Sequence, residues 1–399
     1  MRAIWHSVSK NRTPYRHRYI ENIHMAITIQ PVSDKKELKK FVRFPIDLYK
    51  GNPYYIPPLM FDEIGTLIPE KNPAFDICEA AYFMAYRDGK PVGRIAGIIN
   101  RQVNEKNGTK EARFGFVDFI DDSEVSEALF KTVEEWARSK GMDTLDGPLG
   151  FTDMDYEGML IEGFDQLGTI STIYNHPYYP EHLQRMGYHP LTDWVEYKIY
   201  VPDAIPEKHQ RISDMVRRKY NLRNIKFTKT SDIVRLYGKQ IFELINEAYK
   251  DLFGYSTLTP RQIDYYIKMY LPMVRLENVS LIIDADDRLV GVGIAIPSMA
   301  KAFQKARGKL FPFGFIHVLK ALKGKNDVVD LLLVAIHPNY QNKGVNALLF
   351  SDLIPVFIRN GYRYAESNPE LEENEKVQSQ WQYFHREQHK RRRAFRKKL

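Results

Sequence analysis

Residues 330–346, Asp-Leu-Leu-Leu-Val-Ala-Ile-His-Pro-Asn-Tyr-Gln-Asn-Lys-Gly-Val-Asn, constrain the fold of this chain more than any other passage. Every residue of 331–336 is apolar, and Pro338 stops the run. A strand apolar at every position is buried on both faces, as at the centre of an α/β sheet. The polar turn Gln341-Asn342-Lys343-Gly344 follows, and an apolar helical pattern starts near Val345. A glycine-containing turn that opens a helix aims several unpaired N–H groups, and the positive end of the helix dipole, at one point. Such a point binds phosphate.

Three phosphate-binding turns have different requirements. A Walker loop requires two glycines and a Lys-Ser/Thr pair, which are absent; a Rossmann turn requires three glycines, where only Gly344 is available. What fits is Gln-x-x-Gly-x-small. Gln341, Asn342, Lys343 and Gly344 resemble the turn that grips the coenzyme A pyrophosphate in the GNAT family of N-acetyltransferases, whereas Asn346 stands where that family has Gly or Ala. An ordinary strand-turn-helix with an accidental glycine is the competing explanation.

The flanking sequence follows the same order of elements. Residues 280–284 and 289–296 read as two strands joined by a turn at Asp286-Asp287-Arg288. Before them Ile233, Leu236, Ile241, Leu244, Ile245 and Ala248 recur at helical spacing. After the turn a helix from Val345 bends at Pro355 and closes at Asn360-Gly361, and a strand follows at 362–366. The resemblance to a GNAT domain covers roughly residues 227–399.

The first half carries a similar pattern. Residues 27–32, 81–86, 91–99 and 113–120 read as strands, with a hairpin turn at Arg87-Asp88-Gly89-Lys90, and 123–140 read as a helix ending at Gly141. At the junction where a phosphate turn belongs, this half has Asp121-Asp122-Ser123-Glu124. Carboxylates at a helix N-terminus stabilise the helix, and they repel a phosphate. The expected fold is α/β, two GNAT-like domains, each a mixed central sheet flanked by helices. Residues 1–25 read as a flexible basic extension, 26–200 as a degenerate GNAT-like domain, 201–226 as a linker and connecting helix, and 227–399 as the acyltransferase domain. The stretch Tyr174-Asn175-His176-Pro177-Tyr178-Tyr179 reads as packed sheet-end loops or as an acceptor-binding wall.

The resemblance implies an activity: transfer of an acyl group, most simply acetyl from acetyl-CoA, to a primary amine that attacks the thioester directly. The alternative is a non-catalytic GNAT-fold module that binds acyl-CoA or a protein partner. The implied cofactor contacts are Val334, Ala335 and Ile336 on the strand, Gln341, Asn342, Lys343, Gly344, Val345 and Asn346 in the turn, and Asn374 further on. Asp330, eleven residues before Gln341, stands where the histone-acetyltransferase branch places a glutamate base, with Glu366 as second choice. A tyrosine that protonates the leaving thiolate is expected seven residues after Asn374. That position is Trp381, which leaves Tyr383 as the candidate.

Composition excludes other classes. The single cysteine, Cys78, leaves no disulfide framework and no thiolate metal site, which suits a reducing cytoplasm; no metal ligation is expected. No apolar run approaches the ~20 residues of a membrane span. Of the net charge of +8, residues 386–399 hold +7 and residues 1–24 hold +4, so 25–385 carry −3. A global nucleic-acid surface is therefore not expected. Residues 389–395 are expected to form a terminal strand with its basic side chains outward. Residues 298–326 form a basic amphipathic insertion, expected to pack on the sheet or the other domain, with peripheral membrane contact as the second option.

Overall fold

The computed structural model describes residues 26–271 and 274–399, so the basic extension of 1–25 lies outside the described residues. The first half runs β1 (Thr28–Pro31), α1 (Lys35–Leu48), α2 (Met60–Thr66), β2 (Cys78–Arg87), β3 (Lys90–Asn100), α3 (Arg101–Asn107), β4 (Glu111–Phe119), α4 (Ser123–Ser139), β5 (Thr144–Gly147), β6 (Met159–Glu162), α5 (Tyr178–Arg185) and β7 (His189–Tyr200). The second half runs α6 (Glu207–Tyr220), β8 (Arg223–Ile225), α7 (Thr230–Tyr249), α8 (Pro260–Tyr270), β9 (Val279–Ile283), β10 (Leu289–Pro297), α9 (Ala300–Ala306), α10 (Gly314–Lys323), β11 (Val328–Ile336), α11 (Asn346–Asn360), β12 (Tyr364–Glu366), β13 (Glu370–Leu371), α12 (Glu375–Gln378) and β14 (Arg386–Lys398).

The strands form one continuous sheet in the order β1-β2-β3-β4-β5-β14-β7-β12-β11-β10-β9-β8. Within each half a single pair is parallel, β4 with β5 and β11 with β12. The halves are joined by exchange. β7, from the first half, lies beside β12 of the second, while β14, the last strand of the chain, lies beside β5 of the first. The exchanged strands pair with each other from Arg386↔Ile199 to Arg396↔His189 and close the seam.

Turn and cap chemistry place the elements as the sequence suggests. Asp287 takes a left-handed φ of 60° in the β9–β10 turn, and Gly361 ends α11 at φ 72°. Pro355 lies inside α11. α7 and α8 pack on one face of the second half-sheet, against Leu281, Val292 and Ile294. α11 and α6 cover the other face, where Val216, Val345, Leu348 and Leu349 meet Ile282 and Val290.

Candidate active site

β11 and β12 stay together for three residue pairs, the last being Asp330↔Glu366. β12 then ends, while β11 continues to Ile336, so the two strands part. Side chains supply the hydrogen bonds that the missing strand does not. Asn368 Nδ2 donates to the Leu332 carbonyl (2.5 Å), Tyr249 Oη to that of Val334 (2.7 Å) and Gln341 Nε2 to that of Ile336 (3.1 Å). Past the strand, Asn342 and Gly344 adopt left-handed φ values of 60° and 76°. A Cβ on Gly344 would approach Ile212 Cγ2 of α6 to 2.8 Å, so conformation and space both demand glycine there. No side chain caps α11, and in its first turn the Ala347 and Leu348 N–H groups donate to the Gly344 and Val345 carbonyls, each at 3.0 Å, so a ligand there would meet the N–H groups that precede them. Lys343 is exposed at this point, with its ammonium 5.4 Å from the ring of Tyr220 and 5.8 Å from that of Tyr340. The turn and Asp330 lie at opposite ends of the parted stretch, about 20 Å apart at ~3.3 Å per residue.

At the other end Asp330 is buried, 1% exposed. Among the described residues, no hydrogen bond of good geometry reaches either carboxylate oxygen. Burial, reinforced by the neighbouring Glu366 carboxylate, pushes its carboxyl up to about 7; the nearby Ser298 hydroxyl, Lys390 and the Met299 N–H oppose this only in part. Glu366 is held by His389 Nε2 at 2.6 Å and by Lys390 Nζ at 2.7 Å. Lys390 also pairs with Glu196 (2.7 Å), and Glu196 with Arg392 Nε (2.5 Å). Glu196, Lys390 and Arg392 are all at most 1% exposed. Burial alone would raise the Glu196 carboxyl, but Arg392 and Lys390 outweigh it and hold it at about 2. A buried ionic chain thus crosses three adjacent strands, β12, β7 and β14, beside Asp330 on β11.

No protein-family model matches the chain. It is 28% identical over 378 residues to protein YghO of Escherichia coli K12, covering 92% of this chain and 94% of that protein. It is 29% identical over 303 residues to a bacterial ceramide synthase of Caulobacter vibrioides, covering 75% of this chain and 77% of that one. Among solved structures, a tandem GNAT protein from the clavulanic acid biosynthesis pathway superposes with a TM-score of 0.52 at 15% identity, over 93% of this chain and 98% of that one. The chain has a tandem GNAT fold. A GCN5-related glucosamine N-acetyltransferase region of a fungal multi-domain β-N-acetylglucosaminidase gives a TM-score of 0.53 at 11% identity, over 94% of this chain and 38% of that one.

In this tandem GNAT fold the two halves differ where chemistry would occur. The last parallel pair of the first half is Arg113↔Asp146, at the register position that Asp330↔Glu366 holds in the second. Arg113 binds the Gly150 and Gly254 carbonyls, each at 3.1 Å, and so ties the first half to the α7–α8 loop. A guanidinium cannot accept a proton. At the start of α4, Asp122 accepts from the Glu124 N–H at 3.0 Å, occupying the helix terminus with a carboxylate.

The first half nevertheless keeps an open cavity where β4 and β5 part, about 810 Å³ when the solvent at its mouth is included. Ile56, Met159, Ile170 and Phe303 give it apolar walls, and Glu63 and the Arg94–Asp118 pair (2.8 Å) lie among its lining. Burial pushes the Glu63 carboxyl up to about 7. Tyr174, Asn175 and Tyr179 also line it, so the tyrosine-rich stretch forms a wall as well as packing. A smaller pocket shares Ile56, Thr172, Ile173 and Tyr174 with the cavity and reaches Lys390 and Arg392. α9 links the two regions: the Met299 N–H stands by Asp330, while Phe303 lines the cavity. Those residues are four apart, about 6 Å of helix.

Of the residues singled out in the sequence, Asp330 and Glu366 are brought side by side, and 341–346 form the turn at the far end of β11. Asn374 caps α12, accepting from the Val377 N–H at 3.3 Å. Trp381 is buried against Phe350 and Phe384, and its indole N–H donates to Glu370 at 2.7 Å. Tyr383 is exposed; its hydroxyl accepts from Lys208 and its ring lies beside His209, both next to α11 on the face opposite Asp330. The terminal strand forms as expected, but Lys390 and Arg392 point inward because Glu196 and Glu366 await them there. Glu196, His389, Lys390 and Arg392 carry no sequence signal for a site. Both alternating faces of 390–393 are basic, so period-two patterning says nothing about which one is buried.

Proposed function

We propose that the second half is an acyl-CoA-dependent N-acyltransferase with Asp330 as general base, and that the first half holds part of the acceptor. The observation that carries this is Asp330 itself: a buried carboxyl, poised near neutrality, at the root of the parted strands. Acyl-CoA would supply a thioester carbonyl and a sulfur leaving group. The turn at 341–346 would bind its pyrophosphate through backbone N–H groups, and the edge of Val334, Ala335 and Ile336 would align its arm with Asp330. Asp330 takes a proton from the acceptor ammonium. The neutral nitrogen then bonds the carbonyl carbon, the carbon–sulfur bond breaks, the sulfur leaves as a thiolate that takes a proton from solvent, and the nitrogen gives its surplus proton to solvent as the amide forms.

The family resemblance favours acetyl-CoA and a simple primary amine. The relative named as a ceramide synthase favours a longer chain, since a ceramide is the amide of a fatty acid with a long-chain amine. The apolar cavity that α9 connects to Asp330 suits such a chain, and we assign the acceptor to long-chain amines. With the Tyr383 hydroxyl engaged by Lys208 on the opposite face, we assign the thiolate proton to solvent rather than to Tyr383.

Calorimetric titration with acetyl-CoA and with a long-chain acyl-CoA tests the donor site. Lys343→Glu is the informative variant, because Gly344→Asp would also collide with Ile212. The charge reversal should weaken binding at least ~10-fold without changing the melting temperature. Unchanged affinity would place the cofactor elsewhere. Saturable acyl-CoA binding with no thiol release on any amine would favour the non-catalytic module, which the departure at Asn346 also favours.

A further inference from the structure

The insertion between β10 and β11 presents an apolar surface to solvent. α10 has no buried residue. Phe311 and Phe313, just before it, are 77% and 69% exposed, and Phe315, Ile316 and Leu319 on its outer face are also exposed. Val318, Ala321 and Leu322 on the inner face pack against the core of the second half. Phe61 of α2, 60% exposed, lies next to this surface, since the N–H of its neighbour Met60 donates to the Gly308 carbonyl at 2.9 Å. Contiguous exposed aromatics of this kind mark an interaction site.

Charge identifies what covers it. Residues 298–326 contain seven basic side chains, Lys301, Lys305, Arg307, Lys309, Lys320, Lys323 and Lys325, and no acidic one. All seven are exposed, and none pairs with a carboxylate among the described residues. Aromatic and aliphatic side chains framed by unpaired cations match the interface of an anionic bilayer, where the rings enter the acyl boundary and the ammonium groups meet lipid phosphates. No helix among the described residues is long and apolar enough to cross a membrane, so the contact would be peripheral.

We propose that α9–α10 docks the protein on anionic phospholipid bilayers. The inner side of the same insertion roofs the first-half cavity: Phe303 lines it, and Gln304 Nε2 donates to the Pro53 and Tyr55 carbonyls at 2.8 and 3.0 Å. Docking therefore sets the cavity roof against the membrane, the source of long-chain amines. Bilayer docking does not itself require acyl transfer, so the two proposals fail separately.

Flotation of the full chain with phosphatidylcholine vesicles, with and without phosphatidylglycerol, tests the docking. Wild type should float with the anionic vesicles. Phe311→Asp/Phe313→Asp should lower partitioning roughly 100-fold. Lys320→Glu/Lys323→Glu should lower it at least ~10-fold on anionic vesicles and little on neutral ones. All four side chains are exposed, so circular-dichroism melting should match wild type. Wild type that stays with the unbound fraction, or a phenylalanine variant that floats as well as wild type, would overturn the proposal. So would a wild-type dimer, seen by sedimentation, that the phenylalanine variant dissociates while neither protein binds vesicles.

Discussion

Asp330→Asn is expected to lower the turnover of acyl transfer by about 10²–10⁴-fold while leaving acyl-CoA affinity unchanged. In wild type, kcat/KM should rise with pH and level off above about 7, where the Asp330 carboxyl has lost its proton; the variant should lack that limb. The same residue makes an independent prediction about stability. Its folded-state value of about 7 lies above the ~4 of an unfolded aspartate, so the folded chain holds the proton more tightly. The stabilising contribution is complete below pH ~4 and is lost as pH rises through 7. Relative to wild type, the asparagine variant should therefore gain up to about 4 kcal/mol between pH 4 and pH 8, measured by urea unfolding. A carboxylate that merely capped a strand end would be destabilised by the substitution at pH 8 and would leave the rate untouched. Wild-type rates across pH in the variant would remove Asp330 from the mechanism.

Glu196→Gln is expected to cost about 3–5 kcal/mol of stability at pH 7, because it leaves Lys390 and Arg392 buried with one fewer counter-charge. Here the pH dependence has the opposite sign. Glu196 is held at about 2, below its unfolded value, so its contribution is present above pH ~4 and disappears as pH falls through 2. The gap between wild type and variant in chemical unfolding should narrow by roughly 3 kcal/mol over that window. A constant gap would mean that packing rather than charge holds the seam. Lys390 also contacts Glu366, so the variant should shift the pH–rate limb of Asp330 as well, which a purely structural lesion would not do.

Much of the second half was legible because its signals are local. The all-apolar run that becomes β11, the glycine that opens α11 and the glycine that closes it each depend on a window of a few residues, where backbone conformation and turn chemistry dominate. Asp330 and Glu366 were singled out separately, and their pairing appears only where β11 and β12 lie parallel. In the first half, the Asp122 carboxylate at the start of α4 was legible for the same reason: a helix cap is a contact between near neighbours in sequence.

What the chain hides is everything that depends on distant partners. The exchange of β7 and β14 pairs Arg396 with His189, and no local pattern specifies which strand fills which seam. The burial of Lys390 and Arg392 required Glu196, nearly two hundred residues earlier, to arrive at the facing register position. The cavity takes walls from α1, β4 and the tyrosine-rich stretch, and its roof from an insertion of the other half. Sequence by itself determined the α/β elements, the glycine turn that opens α11 and the carboxylate cap that opens α4, since propensity, capping and turn geometry are short-range. Tertiary structure alone decided where the charges lie and where a ligand fits, because burial and electrostatic pairing are set by residues that meet only once the chain has folded.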